Sequence, residues 1–388
     1  MLQQEPVDAV AKEHEHAAGG LNVRQRADRI LRHLTPVDRR NLGLWAGAHL
    51  ALAILAWMST WMGGQRSIYN NLVGTYGQWD CVWFEQIAGH GYFSGHTQTP
   101  DAYAFWPGQA AAIALAHLLV RNWVVAGLLV SLIAGSVAIV CIGRLGGQRA
   151  ALYLVTAPAA MYLIVGYSEA LFLALALPAW MAARRRDWRL VALLAACAGL
   201  VRIDGLYLTA GLLVMALTSE PGRRIRSTAW ASLGAAGPLL YEVYLWAGTG
   251  SWTAYMQANR AWGLWFTWPW TAFGNTWQRA FAPGLPPDQA AMFQLEIACM
   301  AAGIALTLVL LWRHAWPEAT YVGLMFITLG TVAYYQSVPR ALLISWPLYL
   351  LVAKAAEKRP WVGQVYLWAC VPLAVITAVF FFLGRWAV

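Results

Sequence analysis

Charge is scarce in this chain. Only 12% of its 388 residues are Asp, Glu, Lys or Arg, about half the share of a soluble domain. That scarcity, with 60% apolar residues and a mean hydropathy of +0.50, excludes one soluble core of this length. Cysteine is also sparse. Of the five, four sit in apolar runs and none is paired in a C-x-x-C, so neither a disulfide framework nor a metal knuckle is expected. His90, His96 and His117 lack ligand spacing. No G-x-x-x-x-G-K-[ST], G-x-S-x-G or H-E-x-x-H occurs, and no repeat is evident. The first forty residues or so hold no apolar segment, so the first span is expected to direct insertion itself.

What is there instead is a series of apolar runs at 42–62, 122–143, 150–166, 168–183, 188–201, 205–218, 228–248, 291–312, 316–335, 340–356 and 361–384. Runs near 20 residues are the mark of transmembrane helices. The expected fold is therefore all-α and polytopic, with about eleven spans. A twelfth run, 105–120, begins "FWPG" and is short. If it is re-entrant or interfacial and the N-terminus is cytoplasmic, twenty of the 27 Lys and Arg fall inside and seven outside. If it spans fully, most basic clusters flip outward. The positive-inside rule selects the re-entrant arrangement. The net charge of +9 thus follows topology, and no nucleic-acid partner is expected.

Two regions follow: a basic cytoplasmic segment, 1–41, and a membrane domain, 42–388, with extracytoplasmic loops 63–121 and 249–290. In the first, Val23, Ala27, Ile30, Leu31 and Leu34 alternate with Arg24, Arg26, Arg29 and Arg32. The pattern suits a helix on an anionic leaflet or an unstructured tail. Runs 188–201 and 205–218 are too short for a bilayer and meet at "RIDG", where non-helical backbone must be buried or line a wet cavity.

In this topology the isolated polar groups gather outside: Asp80 and Glu85, "GYSE" at 166–169, "RIDG" at 202–205, and "YYQSVPR" at 334–340. Each also has a structural reading. Asp80 suits a helix N-cap. Glu85, five residues on, lies roughly 140° around the helix, so the two acids do not share a face. Ser168 and Glu169 suit an N-cap and first-turn acid. Arg202 and Asp204 suit a neutral pair. Arg340 follows Pro339, a favoured first helical residue, and a cation at a helix N-terminus opposes the dipole. A phosphate would resolve the conflict; reaching toward headgroups is the alternative. The six tryptophans of 251–281 suit an interfacial belt, or stacking on a sugar or an isoprenoid.

Five stretches in order, "QWDCVWFEQIAGHGY", "YAFWPG", "APAAMYLIVGYSEALFLAL", "VRIDG" and "VPRALLISWPLYLLVA", resemble the PIG-V family of mannosyltransferases and its bacterial relatives, within the GT-C superfamily. The resemblance covers about 76–356. It departs at Phe105-Trp106, where the family has an aromatic pair before Pro, and at Asp204, where the family turn differs. It implies a polytopic transferase of the bacterial plasma membrane. Such an enzyme takes sugar from a polyprenyl-phosphate carrier and passes it to an outward-facing glycolipid, glycan or protein. Asp80 takes the place of the catalytic acid and Glu169 that of the second-loop acid. Arg340, Arg202 and Arg260 become candidates for the donor phosphate. Trp79, Glu85, His90, Tyr167, Asp204, Tyr335 and Gln336 become candidates to line the site. The resemblance fixes no cofactor: some of the superfamily use a divalent ion (Mg or Mn), and Asp80 with Glu169 could hold one. The rivals are transfer of another polyprenyl-linked sugar, a lipid or solute transporter, and a non-catalytic assembly partner.

Overall fold

The computed structural model describes residues 34–62, 72–94, 100–218 and 221–387. The patterned segment around Val23–Arg32, Arg66 and His96 lie outside them. The described residues form helices joined by turns, with one isolated β-bridge between Phe266 and Val332.

Helix α1 (Pro36–Met62) starts inside the segment expected to be a polar tail. Its start is set by a reciprocal cap: Thr35 N–H donates to Asp38 and Asp38 N–H to the Thr35 hydroxyl, satisfying donors that a helix end leaves open. Arg144 binds both oxygens of buried Asp38. That pair sets the start of α1 beside the middle of α4 (Trp123–Val155).

Between them lie α2 (Asp80–His90) and α3 (Pro107–Val120). Helix α3 turns through Arg121 and folds back along the outset of α4, where His117 stacks on Trp123. Helix α4 breaks at Gly147 and ends at Val155. The run 150–166 therefore forms no long helix: it holds the short helical end of α4 after that break and, beyond Val155, a buried irregular stretch with one 3-10 turn, Ala160–Leu163. Side chains hold its backbone. Thr377 donates to Pro158 O, Cys81 to Val165 O and Gln109 to Gly166 O, while Gly166 N–H donates to Ser131. Gly166 adopts φ +81°, a conformation glycine enters at no steric cost. Non-helical backbone at membrane depth needs such internal partners.

Helix α5 (Ser168–Arg184) is largely enclosed: Glu169, Phe172, Leu173, Ala176 and Leu177 are all at 0% exposure. A helix apolar on every side belongs in the middle of a bundle. Helices α6 (Trp188–Val201) and α7 (Asp204–Leu217) form a tight hairpin beside it. A Cβ on Gly205 would lie 2.3 Å from Gly199 Cα, so the glycine of "RIDG" permits the hairpin to close. Helices α8 (Arg224–Ser232), α9 (Ala236–Thr249) and α10 (Ala254–Ala261) follow.

Helix α11 (Pro269–Phe281) buries Ala272, Thr276 and Ala280 and exposes Trp270, Phe273, Trp277 and Phe281. It runs back along the first half of α12 (Pro287–Trp312), since Ala280 O meets Gln294 while Pro269 shares a cavity with Met300 and Ile304. After α13 (Trp316–Leu329), a bent pair, α14 (Val338–Ile344) and α15 (Pro347–Lys358), leads to α16 (Pro360–Phe382).

Among the described residues α1, α4, α12 and α16 are long and apolar enough to cross a membrane. The pair α14 and α15, bent by 65°, makes a fifth if counted as one span. The runs 168–183, 188–201, 205–218 and 316–335 yield helices of 14 to 17 residues, α5, α6, α7 and α13.

Candidate functional site

Four helix starts meet at one place. Helix α2 opens with Asp80, α5 with Ser168 and Glu169, α7 with Asp204, and α14 with Val338, Pro339 and Arg340. Arg202, just past the end of α6, joins them. Helix starts bring positive dipole ends together, and an acid lies in the first turn of α2, of α5 and of α7.

These side chains form one alternating chain of charge. Arg340 Nη1 donates to Asp80 Oδ2 at 2.7 Å and Arg340 Nε to Glu169 Oε1 at 2.6 Å. Arg202 Nη1 donates to the same Glu169 oxygen at 2.8 Å and to Ser168 Oγ at 3.0 Å. Arg202 Nε donates to Asp204 Oδ2 at 2.7 Å. Three carboxylates face two guanidiniums, so the fully ionised chain carries one net negative charge. Removing ions from water costs several kcal/mol each, and such a cluster persists only when its members pair closely. Arg340 also lies over the rings of Tyr162 and Tyr167, at 4.9 and 4.7 Å. The Tyr167 hydroxyl accepts from Asp80 N–H.

The chain borders a cavity of about 220 Å³. Asp80, Ser168, Arg202, Asp204, Gln336 and Arg340 form its polar side, and Phe105, Trp106, Tyr255 and Trp262 its aromatic wall. Gln336 Oε1 is buried without a hydrogen bond, as is Glu169 Oε2. Asp80 is the more accessible acid, with a side chain 25% exposed against 0% for Glu169. Trp79, just before it, adopts φ +56°. Non-glycine residues rarely enter that region, and such outliers cluster at functional sites.

The capping alternative for Asp80 is not what forms: the N-cap position of α2 is Trp79, with no side-chain cap, and the carboxylate turns to Arg340. Ser168 is likewise one residue inside α5 rather than its cap, because Tyr167 holds that position, and its hydroxyl serves Arg202. The expected neutral pair of Arg202 and Asp204 is present, and Glu169 extends it.

Several expected lining residues lie elsewhere. Arg260 is on the exposed side of α10 and outside the cavity wall. The Trp79 ring is exposed and His90, at the end of α2, is on the surface. Tyr335 faces a separate apolar cavity beside α12 and α13, and its N–H donates to Thr276. Glu85 sits half-buried against Gly77, and desolvation pushes its carboxyl up to about 7. Of the six tryptophans in 251–281, only Trp262 reaches the cavity; the other five are exposed.

The sequence reading passed over Glu296. It is the one acid within the run 291–312, fully buried, and its two oxygens accept from Ser337 N–H and Val338 N–H at 2.8 Å each. An ionisable residue inside a span was the available signal. The group that answers the open N–H donors of the α14 start is thus the Glu296 carboxyl, and the acids that answer Arg340 are Asp80 and Glu169. A phosphate is not needed to explain either.

No protein-family model matches the chain, and no curated protein or solved structure matches it either. Where a divalent ion was expected between Asp80 and Glu169, the Arg340 guanidinium bridges the two carboxylates.

Proposed function

We propose that this chain is a GT-C type glycosyltransferase. It moves mannose from a polyprenyl-phosphate donor to a hydroxyl of a glycolipid, glycan or protein outside the plasma membrane of a bacterium. One observation carries the reading: an accessible carboxylate, Asp80, is paired with a buried arginine at the wall of a cavity that is polar on one side and aromatic on the other. Transfer from a lipid phosphate needs a base for the acceptor, cations for the departing phosphate, and apolar surface for the ring faces of the sugar. The choice of mannose rests on the ordered motifs.

The reaction is a single displacement. The acceptor oxygen bonds to the anomeric carbon, and its proton passes to Asp80. Asp80 Oδ1 accepts no hydrogen bond from the described residues. The bond from the anomeric carbon to the phosphate oxygen breaks, and polyprenyl phosphate leaves with the electron pair. Arg340 and Arg202 each spend Nε and Nη1 on carboxylates, which leaves Nη2 for the phosphate. A retaining mechanism would use Glu169 as a nucleophile. Its burial behind two guanidiniums supports inversion instead.

The reading places the N-terminus in the cytoplasm, with eleven membrane passages, 105–120 re-entrant and the cavity on the outer side. The short α3, folded back on α4, supports that arrangement.

The test is transfer of labelled mannose from synthetic polyprenyl-phosphate mannose in proteoliposomes, with wild type beside Asp80→Asn. Product from wild type and a loss of about 10²-fold or more in the variant is the expected outcome. Equal activity of the two removes Asp80 from the mechanism. Product only with another polyprenyl-linked sugar corrects the donor, and none with any sugar and acceptor overturns the enzyme.

A further inference from the structure

Glu296 takes no part in the reaction above, yet it is the only acid of α12 beyond its first turn. Its carboxylate receives two successive backbone N–H groups, at Ser337 and Val338. The segment it holds cannot hold itself. Helix α14 has seven residues, less than two turns, and so short a helix has no stability of its own. Pro339 supplies no N–H. Ser337 adopts φ +61°, which is unfavourable for any residue but glycine. Upstream, residues 333–337 have no helix to satisfy their backbone. Asn275 donates to Ala333 O, and Tyr335 N–H donates to Thr276. The stretch is clipped down by side chains of α11 and α12, and Glu296 is the last clip before Arg340.

We propose that Glu296 is a positioning residue for the site. By gripping Ser337 and Val338 from α12, it fixes the start of α14 and thereby aims the Arg340 guanidinium at Asp80 and Glu169. Two bonds to adjacent amides resist both sliding and rotation of the segment, whereas one bond would leave it free to pivot. A displacement of about 1 Å at a catalytic group is enough to cost about 10²-fold in rate, so a residue that touches no substrate can still govern the site. The kinetic part of this inference rests on the proposed role of Arg340, while the structural part does not.

Two variants of the full chain, Glu296→Gln and Glu296→Leu, in proteoliposomes separate these parts. Glutamine keeps the shape and one acceptor oxygen, and leucine keeps neither acceptor. Hydrogen exchange over 333–345 is expected to quicken about tenfold or more in Glu296→Leu and less in Glu296→Gln, with α4 and α5 unchanged. Unchanged exchange at 333–345 in both variants overturns the proposal, whatever the enzyme does. So does quickening spread evenly over the molecule, which is a general loss of stability. If Glu296→Leu does not fold, Glu296→Gln decides alone by the same measure.

The second readout is binding of polyprenyl phosphate. Glu296→Gln is expected to weaken it in the wild-type background and to add nothing in an Arg340→Lys background, because the two act through one group. Fully additive losses overturn the positioning role. Quickened exchange at 333–345 in a protein that binds no polyprenyl phosphate even as wild type leaves the clasp standing and removes the proposed function.

Discussion

Arg340 and Asp80 are 260 positions apart, and Arg340 Nη1 lies 2.7 Å from Asp80 Oδ2. The same guanidinium reaches Glu169 through Nε. One planar group therefore sets the spacing of two acids from different helices. Lysine keeps the charge but lacks the fork. Arg340→Lys is expected to lower transfer about 10- to 100-fold, the worth of one or two charge-assisted hydrogen bonds. Rates of wild type and variant at saturating donor in proteoliposomes measure this. A variant within threefold of wild type would show that a positive charge suffices.

The α6–α7 hairpin depends on Gly205. Its added methyl would meet Gly199 Cα at 2.3 Å and Gly199 N at 2.5 Å, and backbone cannot step aside as a flexible side chain can. Gly205→Ala is expected to destabilise the fold by about 1–3 kcal/mol, and to displace Arg202 and Asp204 beside it. A lowered thermal midpoint in detergent together with lost transfer is the outcome sought; an unchanged midpoint would mean that the two helices separate at little cost.

Glu85 gives the protein a pH dependence of defined sign. Burial lifts its carboxyl from 4.5 to about 7, so between those values the folded chain holds a proton that the unfolded chain has released. Its contribution to stability is complete below about 4.5 and is lost as pH rises toward 7. Glu85→Gln is expected to flatten this part of the profile and to raise the midpoint at pH 8. The effect is modest, because the group is only half-buried and solvent screens it. Thermal midpoints of both proteins from pH 4.5 to 8 decide it; parallel profiles would exclude Glu85.

Sidedness is open to direct labelling. In a background without the five native cysteines, a cysteine at Thr253 is expected to react with an impermeant reagent from outside. One at Arg313 or Glu357 is expected to react only after the membrane is opened. All three positions are exposed. The reverse pattern would put the cavity on the cytoplasmic side and remove the polyprenyl-linked donor from the proposal.

The motif residues divide according to whether local pattern carries their role. Asp80, Glu169, Arg202, Asp204 and Arg340 were legible because isolated charges in an apolar chain are costly and stand out. Gln336 came with them by adjacency; so did Tyr167, which packs against Arg340 and Asp80 and is not part of the cavity wall. Arg260, His90, Tyr335 and Trp79 shared the same neighbourhoods in sequence yet face away from the cavity. A position in a loop does not say which way a side chain points. Trp262 could not be told from the five tryptophans around it, because only the turn after α10 brings it against Phe105 and Trp83. Glu296 was missed for another reason: its partners are backbone amides 41 and 42 positions away, and amides leave no mark in a sequence.

Composition and the length of the apolar runs determined by themselves that the chain is helical and membrane-embedded, since each buried stretch in lipid must satisfy its own backbone. They did not determine how many runs become long helices. The run 150–166 reads as apolar as a span, but Gly147 breaks the helix before it and Ser131, Gln109, Cys81 and Thr377 satisfy its backbone from other helices. Beyond the local Arg202–Asp204 pair, only the tertiary structure decided which charges meet. The energy of a buried ion depends on what stands within about 4 Å of it, and the other partners in this cluster are 33 to 260 positions apart.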